Sequence, residues 1–267
     1  MTPDKWLISR SHVVMSSTSN WFRLRFLSAL LEEYGDEWCN KLMFQYRWGP
    51  REDARSAAKR ISDVMFRGSV LRPLQPLLVP LMIRRMVPRM AFAGANENNA
   101  PILVASFHDL VALLELHLRA RPYLFGGRPS FGDFGLWGQL HQAWIDPTCG
   151  AYLGEHGPAV VAWLERMLDP GQEGPFEPLA ALADTLRPIF SREVGPHFLT
   201  WSAANAESWQ AGRPRTELTM DGRRYYQKTF KYPAQTLEIL RGRYAAVADA
   251  GELGRFLEDT GCRQYLA

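Results

Sequence analysis

Pro122-Tyr123-Leu124-Phe125-Gly126-Gly127-Arg128-Pro129-Ser130-Phe131-Gly132-Asp133-Phe134 is the stretch that decides the fold of this chain. Pro122 closes one helical pattern, and Gly126-Gly127 turns the backbone. Ser130 followed by Asp133 is then a capping box of the S-x-x-D kind. The Ser130 hydroxyl accepts from the Asp133 backbone N–H, and the Asp133 carboxylate reaches back to the N–H of Ser130. Two donors that a helix start leaves orphaned are satisfied, and a negative charge sits at the positive end of the helix dipole. This pattern makes Ser130 and Asp133 a structural cap rather than a general acid or base. Gly126-Gly127 is no phosphate cradle, because no Lys-Ser/Thr follows it.

Working outward, apolar spacing predicts helices at Phe131 to Trp144 and Pro158 to Leu168, with another running from Pro101 through Leu103, Phe107, Leu110, Leu114 and Leu118 to Pro122. Further upstream, Leu24, Leu27, Leu31, Trp38 and Leu42 form one stripe, and Leu30, Tyr34, Phe44 and Trp48 another. They predict a helix from Arg23 to Trp48, stopped by Gly49-Pro50. A helix apolar on two faces belongs in the middle of a bundle. Glu37 and Lys41 fall on it as an i,i+4 pair. A helix from Arg51 to Phe66 follows. Leu71 to Ala93 is the most membrane-like run, yet it holds Pro73, Pro76, Pro80, Pro88, Arg84, Arg85 and Arg89. Charges of that kind cost a few kcal/mol each at a bilayer centre, so no spanning helix is expected. Ala93 to Asn99 reads as a polar loop.

Asp169 to Pro175 is a turn-rich junction and sets a boundary. Beyond it the pattern predicts helices at Leu179 to Val194 and His197 to Gln210, then a hairpin: Thr216 to Met220, Asp221-Gly222, and Arg223 to Gln227. Asp-Gly suits a type I′ turn, in which both central residues take positive φ. Helices at Pro233 to Val247 and Glu252 to Thr260 close the chain. At the other end, Trp6 to Ile8 and His12 to Met15 suggest two short strands.

Composition mainly excludes. The 267 residues are 46% hydrophobic and 22% charged, which suits one or two globular domains. Lys and Arg exceed Asp and Glu by 31 to 28, too little to imply a nucleic-acid or membrane partner. Arg84-Arg85 and Arg223-Arg224 read as solvated faces. Cys39, Cys149 and Cys262 form no CxxC pair, which suits passive thiols in a reducing, cytoplasmic compartment. The start of the chain lacks the apolar core of a signal peptide. The six histidines make no zinc-binding spacing, so no metal is expected. No GxSxG, GxGxxG or P-loop pattern is present.

The Pro122–Phe134 run resembles the glutathione S-transferase superfamily, whose C-terminal all-helical domain opens its buried helix with a Phe-Gly-x-x-Pro-Ser-x-x-Asp signature. Flanking residues extend the likeness: His117-Leu118-Arg119-Ala120, Gly138-Gln139-Leu140, Asp146-Pro147, and Pro158-x4-Trp163-x2-Arg166-Met167. Upstream, Leu27 to Trp38 and Phe44 to Trp48 resemble the domain's first helix in one bacterial branch. The resemblance covers about Arg23 to Leu168.

It implies a mainly α fold: a helical bundle of the glutathione S-transferase C-terminal type at 23–170, extended by a helical segment at 171–267 with a β-hairpin at 216–227. Residues 1–22 would be a remnant of the family's thioredoxin-like domain. There Ser17 matches the Ser that holds the γ-glutamyl carboxylate, and Ser16 replaces the expected acid. No residue matches the thiol-activating position, so no catalytic residue is named. Tyr34, Phe44 and Trp48 lie on the helix that lines the family's substrate pocket. The implied function is a binding or scaffolding relative without autonomous glutathione conjugation. Two alternatives stay open: an active transferase whose thiol site is completed elsewhere, and a glutathione-independent small-molecule binder. Glutathione is the implied cofactor, a small hydrophobic molecule the implied ligand. In the family the helical domain packs its thioredoxin-like partner on faces built from the first helix and the capped helix. Uncovered, those faces imply a homodimer with the first helix at its interface.

Overall fold

In the computed structural model, which describes residues 16–70, 72–247 and 251–267, the first helix begins at Ser16 rather than Arg23. Its early turns are fixed from outside: the Trp21 ring packs on Phe176 at 5.7 Å, so tertiary contact extends the helix through Ser-rich sequence. The strands expected at Trp6 to Ile8 and His12 to Met15 lie outside the described residues.

The first helix is α1 (Ser16–Tyr34), a π-helical turn (Gly35–Cys39), and α2 (Asn40–Trp48). Then come α3 (Arg51–Met65), a 3₁₀ turn at Arg72–Leu74, α4 (Gln75–Met86) and a second 3₁₀ turn at Val87–Ala91. The bundle continues with α5 (Ala100–Leu118), α6 (Phe131–Trp144), α7 (Pro147–His156) and α8 (Pro158–Arg166). Helix α7 was not foreseen: Gly150 and Gly154 lower its propensity, but Pro147 at its first turn and buried Cys149 and Leu153 hold it. Among the described residues, α5 is the helix long and apolar enough to cross a membrane, not the 71–93 run. Its Leu103, Phe107, Leu110, Val111 and Leu114 are fully buried at the centre of the bundle.

The signature loop behaves as its sequence predicts. Ser130 caps α6 in a complete capping box. Asp133 is fully buried and accepts four hydrogen bonds: Oδ2 from Ser130 N–H at 2.8 Å and Ser130 O–H at 2.7 Å, Oδ1 from Leu124 N–H at 2.9 Å and Trp163 Nε1 at 3.1 Å. Burial raises its carboxyl while these donors pull it back down. His117, lowered by burial to about 4, is neutral. Its Nε2 therefore donates to the Leu124 carbonyl at 2.8 Å, and Nδ1 accepts from Thr185 at 2.8 Å. One imidazole thus ties the loop to the C-terminal extension. Helix α6 lies flush on α1, where the Gly132 N–H donates to Ser28 Oγ at 2.9 Å.

The extension consists of α9 (Leu179–Ile189), a π-helical segment (Phe190–Leu199), α10 (Thr200–Gln210), strands β1 (Arg215–Met220) and β2 (Arg223–Lys228), then α11 (Lys231–Val247), α12 (Glu252–Asp259) and α13 (Arg263–Leu266). The break expected at Gly195-Pro196 is absent, because the wider π turns carry Pro196 without interrupting the helix. The hairpin pairs Thr216 with Gln227 and Met220 with Arg223. Asp221 and Gly222 take φ of 50° and 70°, as a type I′ turn requires.

This extension covers the first helix. Phe26 packs on Tyr244 at 5.4 Å, Tyr34 on Phe198 at 6.1 Å, and Trp38 among His197, Trp201 and Tyr225. Trp48 is 2% exposed. The face expected at a dimer interface is therefore occupied from within the chain.

Candidate functional site

The π turn at Gly35–Cys39 aims Trp38 at the meeting point of α1, α5, the extension helix and the hairpin. The indole stacks on His197, with ring centroids 5.5 Å apart and planes 6° from parallel. Its Nε1 donates to Ser106 Oγ at 2.9 Å, and Ser106 donates on to Glu193 Oε2 at 2.6 Å. Tyr34 donates to the same oxygen at 3.1 Å. His197 Nδ1 is 3.3 Å from Glu193 Oε2, and its Nε2 is 2.9 Å from Asp221 Oδ2 in the hairpin turn. A chain of polar groups therefore runs from the half-exposed Asp221 to the fully buried Glu193.

Burial raises the Glu193 carboxyl, against hydrogen bonds from His197, Ser106 and Tyr34 that lower it. Burial also lowers His197, but Glu193 and Asp221 outweigh it and lift the imidazole to about 9. At neutral pH the ring is an imidazolium donating from both nitrogens. Burial, Cys39 and Glu193 hold the Tyr34 hydroxyl well above its ordinary value, so it stays protonated. This network joins core and extension.

The residues expected at a substrate pocket, Tyr34, Phe44 and Trp48, sit at different depths in the fold. Tyr34 is sealed against Phe198 and Glu193, Trp48 is buried, and Phe44 is half-buried against the core. Neither of the two concavities described below is lined by any of them. Ser16 and Ser17, expected to cradle glutathione, fall in the first turn of α1, and their side chains lie outside the described residues.

The better candidate lies one turn along the first helix. A concavity of about 230 Å³ is lined by residues including Asp36, Glu37, Lys41, Phe92, Phe230 and Tyr232. Sequence spacing makes Glu37 and Lys41 an i,i+4 pair. Lys41 still feels Glu37 but is 3% exposed, its ammonium 3.5 Å from the centre of the Trp201 ring. Burial lowers Lys41 to about 7, with Glu37 opposing. Nearby, burial and then Glu32 and Glu37 lift Glu33 to about 7, and burial also raises Glu32 and Glu37. Crowded carboxyls, a partly neutral amine and three aromatic rings suit a small aromatic molecule carrying a positive charge. The sequence signal for it was Lys41 inside an apolar stripe, which Lys rarely enters without a partner.

A second concavity, of about 380 Å³, lies between α3 and α6. Its lining includes Arg47 and Arg60, both ion-paired to the buried Asp146, Arg47 at 2.8 Å. Among the described residues, no three His, Cys, Asp or Glu gather as a metal site.

Residues 85–166 match the family model of the glutathione S-transferase C-terminal domain. The match starts in α4 and takes in α5, the capped α6, α7 and α8, a narrower span than the 23–168 of the motif resemblance. This segment is similar to that domain, and like it the segment and the bundle around it are helical. No curated protein and no solved structure matches the chain.

Proposed function

We propose that this glutathione S-transferase-like protein is a binding relative without autonomous glutathione conjugation. It holds a small aromatic, positively charged molecule in the concavity beside Lys41. The observation that carries this reading is the seating of Trp38 among His197, Trp201 and Tyr225. The family places its glutathione-binding half against the first helix, and here the chain's own extension occupies that face. Activating a glutathione thiol needs donors held near the sulfur. The Tyr34 hydroxyl on this helix is committed to Glu193.

The test pairs two assays on the full chain. Calorimetry with arylalkylamines and with arylalkanoic acids of equal size should show the amines binding more tightly, and Phe230→Ala should weaken them. A thiol-conjugation assay should give no enzyme-like turnover. Turnover on the order of 1 s⁻¹ or faster with glutathione would overturn the proposal.

A further inference from the structure

Helix α4 packs Val79, Met82, Ile83 and Met86 against the core yet leaves a second apolar face in water. A surface helix ordinarily hides its apolar residues and shows polar ones. Here no described residue of α4 is fully buried, and Leu77 and Leu81, one turn apart, are 73% and 55% exposed. Gln75 fixes the start of α4 to the end of α3, donating to Ser62 Oγ at 3.0 Å and Asp63 Oδ1 at 2.5 Å. The tip of this helical hairpin adds exposed Val64, Met65 and Val70. The last turn of α4 and the 3₁₀ turn after it then present Arg84, Arg85 and Arg89 to solvent.

The charge is one-sided. From Val64 to Asn96 the sequence contains Arg67, Arg72, Arg84, Arg85 and Arg89 and no Asp or Glu. All five arginines are exposed, and among the described residues none is in a salt bridge. The density of prolines and arginines that argues against a spanning helix does not argue against one lying in the headgroup plane. There the apolar side chains enter the acyl boundary and the guanidinium groups stay with phosphates.

We propose that the α3–α4 hairpin docks on an anionic lipid surface, with Leu77, Leu81 and the Val64–Val70 tip inserted and Arg84, Arg85 and Arg89 on the headgroups. Charge complementarity selects this occupant. A second copy meeting the patch about a two-fold axis would bring arginines against arginines, and the nearby acid, Asp63, is already held by Lys59 and Gln75. A nucleic acid would answer the arginines but leave the leucines unused. The proposal is independent of the ligand site at Lys41.

Flotation of the full chain with vesicles tests it. Phosphatidylcholine vesicles containing phosphatidylglycerol should bind at least tenfold more tightly than pure phosphatidylcholine, and high salt should weaken that binding. Leu77→Glu with Leu81→Glu should abolish flotation, and Arg84→Glu with Arg85→Glu should reduce it at least tenfold. All four positions are exposed, and unchanged urea midpoints check that the variants fold. Three results overturn the proposal: equal or absent binding to both vesicles; a lipid-free dimer by light scattering that the leucine variants dissociate; or salt-sensitive binding to DNA that the leucine variants leave intact.

Discussion

Gly35 and Gly135 meet backbone to backbone where the π turn of the first helix crosses α6. A Cβ on Gly35 would fall 2.5 Å from the Gly135 carbonyl carbon, and one on Gly135 would fall 2.7 Å from Glu32 Cα. No side chain can occupy either position unless the two helices part. Gly138, three residues along the same face of sequence, has nothing within 4 Å of its added Cβ.

Those two glycines of α6 should therefore respond oppositely to alanine. Gly135→Ala is expected to destabilise by about 1–3 kcal/mol through overpacking. Gly138→Ala is expected to stabilise by up to about 1 kcal/mol through helix propensity. Urea denaturation of both variants measures the difference, and equal midpoints would show that the helices do not touch at Gly135.

Asp133 and Ser130 should differ in cost although they form one cap. Ser130→Ala removes a surface-proximal cap and should cost about 1 kcal/mol. Asp133→Ala strands the buried donors of Leu124 and Trp163 as well, and should cost about 3 kcal/mol or more. Similar losses for both would mean the carboxylate does no more than cap the helix.

His197 and Lys41 give stability opposite slopes in pH. The folded value of His197, about 9, lies above its unfolded value of about 6.5, so its stabilisation is complete below pH 6.5 and lost as pH rises through about 9. The folded value of Lys41, about 7, lies below the unfolded value of about 10.4, so its contribution grows as pH rises between them. The deficit of Asp221→Asn, which keeps the turn but removes a His197 partner, should shrink from pH 6 towards pH 9.5. The advantage of Lys41→Met should likewise be largest near pH 6 and fade towards pH 10. Chemical denaturation across that range measures both, and flat differences would contradict the assignment.

Lys41 should also react unusually. An amine near pKa 7 is about half neutral at pH 7, whereas surface lysines are almost wholly charged. Limited acetylation at pH 7, read by mass spectrometry, should enrich Lys41 among modified lysines once the concavity admits the reagent, and Lys41→Met should remove that peak. Uniform labelling would contradict the lowered value.

The parts of this molecule that follow from local rules could be read in its sequence. The capping box at Ser130 and Asp133, the Asp221-Gly222 turn and the extents of α3, α6 and α8 all depend on neighbours within four residues. The site did not follow in that way. A π turn displaces every later side chain on the first helix, and nothing local announces it except Gly35, whose reason is Gly135 a hundred residues away. The Glu37–Lys41 spacing gave the pairing but not the burial of Lys41 against Trp201, which comes from the extension. The Glu193–His197–Asp221 chain needs the hairpin to fold back on the extension helix, a long-range pairing that periodicity cannot supply.

The company Trp38 keeps also sets a timetable. Its ring partners are His197, Trp201 and Tyr225, all from the last third of the chain. During synthesis at about 5–20 residues per second, the first helix emerges some ten to forty seconds before those partners exist. For that interval its apolar stripes are held only by incomplete neighbours. The fold of the first helix is thus closed only when the hairpin and the extension helices have been made.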